Sequence, residues 1–178
     1  MLKRVILALD RGIERASNYG LLVSGILILL MSWLSTYGVA RRYLFNNPEP
    51  YSYEISTSML LACVVLSIAF LQRQGQHLRA DFLFNRFSKD SQAIIIDIVG
   101  PIIALFYIGI IAWQSWNAFM YSFQIYETSQ SSWQEPLFPT KLVVPIGMGL
   151  LCLVLLAQLS RGIISLVQRK FLKIPRNL

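Results

Sequence analysis

Long apolar runs alternate with short polar segments along this chain, and the charges fall almost entirely in the polar segments. Four runs, at about 17–40, 53–71, 93–121 and 142–161, are long enough to cross a bilayer. The second is charge-free from Ile55 to Gln72. At 1.5 Å per residue it covers about 27 Å, close to a ~30 Å hydrocarbon core. The runs are continuous rather than alternating, which predicts helices and not a barrel. The third has no charge from Ile98 to Tyr126. A helix of that length measures about 43 Å, so it has to tilt or continue past the interface. Pro101 marks a kink in it, and Trp113, Trp116 and Tyr121 fit an aromatic belt at one boundary.

The flanks carry their own patterns. Leu2, Ile6, Leu9 and Ile13 share one helical face, with Lys3, Arg4, Asp10, Arg11, Glu14 and Arg15 around the rest. This predicts a short amphipathic interfacial helix, or else the beginning of the first span. A second interfacial helix is expected where Leu78, Phe82, Leu83 and Phe87 fall near one face, with Ser88 or Asp90 capping the third span. Gly20, Ser24 and Gly25 in the first span, and Gly147 and Gly149 in the fourth, are small-residue faces that another helix can approach closely. Asn46-Asn47-Pro48 is a turn. Residues 127–141 read as a polar connection. The first apolar run is longer than a signal-peptide core, so it reads as a span.

Composition fixes the class. Hydrophobic residues make up 55% and charged residues only 14% of the 178, where a soluble domain carries about a quarter charged. The expectation is an all-α integral membrane protein, one membrane domain over 1–178 with four transmembrane helices. The net charge of +7 does not indicate nucleic acid, because the basic residues flank apolar runs. Thirteen of the sixteen Lys and Arg lie in the N-terminal segment, the 73–89 loop and the tail. That asymmetry predicts a multi-pass membrane protein with both termini cytoplasmic.

Catalytic chemistry finds little support. A single His, His77, cannot build a bis-His haem site from this chain alone. No carboxylate lies deep in a span, as a small proton-coupled exporter would need. Cys63 and Cys152 sit in apolar runs without CxxC spacing and read as buried small residues. What remains is a helper or scaffold subunit that is not an enzyme and holds no cofactor or metal. The candidate structural or docking residues are the rim charges Arg41, Arg42, Glu54, Glu127 and Glu135, with His77 and Asp81 on the inner loop. Glu54 is expected to pair with Arg41 or Arg42 across the turn, or else to stay solvated.

Four short elements carry a family resemblance: Arg42-Tyr43-Leu44-Phe45-Asn46; Tyr51 to Glu54; Gly75 to Asp81 around His77; and Pro145-Ile146-Gly147. In this order and placement the chain resembles the small membrane subunit of tripartite ATP-independent periplasmic (TRAP) transporters, the DctQ-like family. Tyr51 and Tyr53 stand where that family often has Trp, and Arg79 where a small apolar residue is common. The resemblance implies a non-catalytic permease subunit of a sodium-driven, binding-protein-dependent secondary transporter for organic acids. It implies as partners a large membrane subunit, a periplasmic solute-binding protein and the lipid bilayer, with sodium held by the large subunit. A membrane anchor of a respiratory complex and a small autonomous channel or exporter are the alternative readings.

Overall fold

The computed structural model describes residues 2–74 and 95–172, with side chains described over 11–74, at 95 and over 98–164. It contains four long helices: α1, Leu2–Leu44; α2, Ser52–Arg73; α3, Gly100–Gln124; and α4, Phe138–Leu172. A π-helical turn, Ile95–Val99, leads into α3. All four are long and apolar enough to cross a membrane, and no strand occurs among the described residues. His77, Asp81, the second interfacial helix and its expected caps lie outside the described residues.

Of the two readings of the N-terminal segment, the structure takes the second: the segment begins the first helix, and α1 runs unbroken for 43 residues, about 64 Å of helix. The residues between the amphipathic face and the span explain this. They include no proline, and Gly12 alone costs a helix only about 1 kcal/mol relative to alanine. Pro101 lies in the first turn of α3, directly after the π-helical turn Ile95–Val99, and both a proline and a π-helical turn are sites where helices bend. Pro145 is the proline inside a helix, and α4 continues through it.

Two hairpins form the bundle. The short turn after α1 brings α2 back along it, and the connection after α3 does the same for α4. Packing between α2 and α4 joins the two hairpins, while α1 meets α4 over a shorter stretch. The buried apolar cluster is Ala69 of α2 with Leu151, Val154 and Leu155 of α4. Ile13, Ile68, Leu105 and Ile108 pack around it. Tyr19, Leu29 and Trp33 of α1 and Ile103, Phe106 and Trp113 of α3 point outward. Exposed apolar faces of this extent face lipid or a membrane partner.

Lipid tails are as apolar as leucine, so close packing and hydrogen bonds hold helices together within a bilayer. Both are present between α1 and α2. A methyl group added at Gly20 would sit 2.7 Å from the Leu66 carbonyl oxygen. The Ser24 hydroxyl reaches the carbonyls of Gly20, 2.8 Å, and Cys63, 2.9 Å. Across the other seam, a methyl at Gly147 would meet the Val65 carbonyl oxygen at 2.7 Å. The helix that approaches Gly20, Ser24 and Gly147 is therefore α2 of the same chain. Gly25 and Gly149, by contrast, have open space where a side chain would be.

Candidate functional site

The α1–α2 turn and the α3–α4 connection come together at one end of the bundle, termed here the loop end. Arg41 and Arg42 close the last turn of α1, where cations complement the negative end of the helix dipole. Asn46 then adopts a left-handed conformation, φ 48°, which asparagine tolerates better than most residues. The amide of Asn47 folds back to donate to the Arg41 carbonyl at 3.2 Å.

Glu49 organises the entry into α2. One of its carboxylate oxygens accepts the amides of Tyr51, 3.1 Å, and Ser52, 2.9 Å. It thereby satisfies donors that the start of α2 would otherwise leave bare. Burial works against its charge, yet Ser52, the Tyr51 amide and Arg41 outweigh burial and hold its carboxyl below the usual range. Gly38 of α1 makes room for this arrangement, since a side chain there would run into Ser52 and Glu49. Arg41 Nε and Glu49 Oε1 are both buried without a hydrogen-bond partner, so charge rather than a shared proton joins them. The carboxylate beside Arg41 is thus Glu49, not the expected Glu54.

Glu54 turns instead toward the α3–α4 connection, where the Ser129 hydroxyl donates to it at 2.9 Å. That connection is more than a polar link. Residues 127–137 fold into a small cap, with Thr128 bridged antiparallel to Pro136. The amide of Ser129 donates to the Glu135 carbonyl at 2.8 Å, and that of Leu137 to the Glu127 carbonyl at 2.9 Å. Tyr126 and Gln134 turn the chain in left-handed conformations, φ 49° and 53°. Ser58 of α2 donates its hydroxyl to Glu135 at 3.1 Å, and the rings of Tyr51 and Trp133 meet with centroids 6.0 Å apart. The hydroxyl of Tyr37 pushes the Tyr51 phenol above its ordinary range.

Glu127 pairs with Lys141 at the start of α4. The Lys141 ammonium, as the leading cause, holds the Glu127 carboxyl below its usual range. An aromatic ladder of Trp116, Phe119, Phe123 and Phe138 closes α3 on α4 beneath the cap, with centroids 5.6–6.0 Å apart.

The five rim charges singled out from the sequence therefore gather at one end, but in unequal roles. Glu54, Glu127 and Glu135 each hold a group of their own chain, and Arg41 is half-buried beside Glu49. Arg42 is exposed, its guanidinium 5.8 Å from the Tyr43 ring centroid, and no carboxylate pairs with it among the described residues. Glu49 escaped the sequence reading because it precedes the helix it caps. The pattern Pro48-Glu49-Pro50 ahead of an apolar run was its available signal. Among the described residues no three His, Cys, Asp or Glu side chains gather as a metal site requires. The arrangement is a polar platform braced by hydrogen bonds and an ion pair, with an exposed cation at its rim.

No curated protein sequence matches the chain. The family model for tripartite ATP-independent periplasmic transporters, DctQ component, matches residues 20–164. That match takes in all of α2 and α3, both loop-end connections and most of α1 and α4. The chain belongs to this family and is a small, non-catalytic permease subunit of a TRAP transporter.

Proposed function

We propose that this subunit scaffolds the large membrane subunit of a sodium-driven transporter for organic acids and helps the periplasmic binding protein dock at the loop end. The family works with both partners. The observation that carries the docking role is the braced loop end. Three helix-borne groups, Ser58, Glu54 and Lys141, tie the cap to the bundle. Such a surface loses little freedom when a partner binds, which favours affinity. The exposed apolar faces of α1 and α3 support the scaffolding role, since a neighbouring membrane subunit can cover them. The Lys and Arg asymmetry supports cytoplasmic termini, which puts the loop end in the periplasm, on the side of the binding protein. Sodium and solute belong to the large subunit in this reading.

Sodium-dependent uptake into proteoliposomes containing the large subunit and the binding protein tests it. Omission of this chain abolishes uptake. Arg42→Ala lowers uptake several-fold while the membrane complex stays intact on gel filtration. Full uptake without the chain overturns the scaffold, and unchanged binding-protein affinity in Arg42→Ala overturns the assignment of Arg42 to docking.

A further inference from the structure

At the loop end a groove of about 520 Å³ opens between α1 and α2. Its lining changes character along the helix axis. Arg42, Tyr43 and Tyr53 form the mouth. One to two turns deeper lies a hydroxyl zone, where Ser35 and Ser56 face each other at 3.1 Å. Deeper still, Met31 and Leu60 make the walls wholly apolar. From Arg42 to Met31 the groove covers about 16 Å of helix, half the thickness of a hydrocarbon core. The walls stand open to the outside of the bundle, with Tyr53 81% and Leu60 48% exposed.

Charge, then hydroxyl, then hydrocarbon is the order of groups in a glycerophospholipid read from phosphate to ester to acyl chain. Arginine suits phosphate because its planar fork meets two oxygens at once. Arg41 and Arg42 end the charge-free part of α1, which sets the mouth of the groove at headgroup depth. Glu49 also lines the mouth; one of its carboxylate oxygens accepts from the start of α2, and its charge is set against that of Arg41, which leaves Arg42 as the cation open to an anion.

We propose that this groove binds one anionic glycerophospholipid, with its phosphate on Arg42, its ester oxygens at the Ser35–Ser56 hydroxyls and one acyl chain along Met31 and Leu60. A helix from a partner subunit fits less well, because a packed helix would bury the hydroxyl pair without supplying acceptors. The proposal rests on the chain being embedded in a bilayer and not on the transport role.

Native mass spectrometry of the full chain, titrated with phosphatidylglycerol, tests it, with glycerol 3-phosphate as the headgroup without chains. The wild type retains one phosphatidylglycerol, and Arg42→Ala weakens retention about fivefold, the effect of one basic residue at a lipid surface. Arg15→Ala, which removes an exposed cation at the opposite end, leaves retention unchanged. Ser35→Leu, filling the hydroxyl zone, lowers retention while far-ultraviolet circular dichroism shows the helices intact. Glycerol 3-phosphate does not bind. Equal losses in Arg42→Ala and Arg15→Ala, or retention unaffected by Ser35→Leu, overturn the groove as a site. Binding of glycerol 3-phosphate as tight as the lipid reduces it to a phosphate site and overturns the acyl-chain assignment.

Discussion

The two ends of this bundle are held together by different physics. At the loop end, carboxylates and hydroxyls from both hairpins meet: Ser129 with Glu54, Ser58 with Glu135, Lys141 with Glu127. Toward the opposite end lies the apolar cluster of Ala69, Leu151, Val154 and Leu155. Beyond it, Arg73 pairs with Glu14 at 3.6 Å and Gln72 donates to Gln158 at 2.8 Å. Between the two regions, bare backbone contacts at Gly20 and Gly147 lock α2 in place. Water competes for each polar contact near the interface, so a cap there needs many of them. Inside the bilayer shape complementarity takes over. Close-fitting contacts in the middle of the bundle are thus combined with a polar network at the loop end.

Gly147→Leu is the most disruptive way to break this division. Its side chain would meet the Val65 backbone, and overpacking of this kind costs about 1–3 kcal/mol. The thermal midpoint in detergent falls by several degrees, whereas Gly25→Leu, with open space around it, stays within about 0.5 kcal/mol of wild type. Similar losses in the two variants would mean that close approach to α2 is not what holds the middle of the bundle.

Ser129→Ala acts on the cap alone. It removes the donor to Glu54 and the acceptor of the Glu135 amide, at a cost of about 1 kcal/mol. Amide exchange at Glu135 speeds up, while exchange at Leu151 and Val154 stays slow. Acceleration in both places would show that cap and core open as one unit.

Acidification gives the mildest perturbation. Lys141 lowers the Glu127 pKa in the folded protein, so the stability from that pair is complete above the ordinary carboxylate value of 4.5. It is lost as pH falls through the lowered folded value. The thermal midpoint of wild type therefore exceeds that of Glu127→Gln at neutral pH, and the gap closes as pH drops below about 4.5. A gap independent of pH would remove the ion pair from the account of the cap.

Particular residues show what the sequence could and could not reveal. Hydropathy exposes the spans because a bilayer demands uninterrupted apolar length, and the motifs around Arg42, Glu54 and Pro145 point to the family. The sequence left open whether α1 starts as a separate interfacial helix, because charged residues change where a helix sits without ending it. Gly20 and Gly147 announced close packing but not with which neighbour, since small residues are equally suited to a helix of the same chain. The cap was illegible for a different reason. Its left-handed turns fall on Tyr126 and Gln134 rather than on glycine, and its bonds join residues far apart in sequence, such as Ser58 and Glu135. Rim charges stood out by type alone, while their division into internal braces and one exposed arginine needed three dimensions.

The unbroken first helix has a mechanical consequence. A rod of about 64 Å in a ~30 Å core extends well beyond the hydrocarbon. Pivoted at the loop end, a 10° change in its tilt would carry its far tip through about 11 Å. Its ion pair to Arg73 and its seam with α2 oblige the neighbouring helix to follow. A lever of this kind converts a small rearrangement on one side of the bilayer into a displacement on the other that a partner protein can feel.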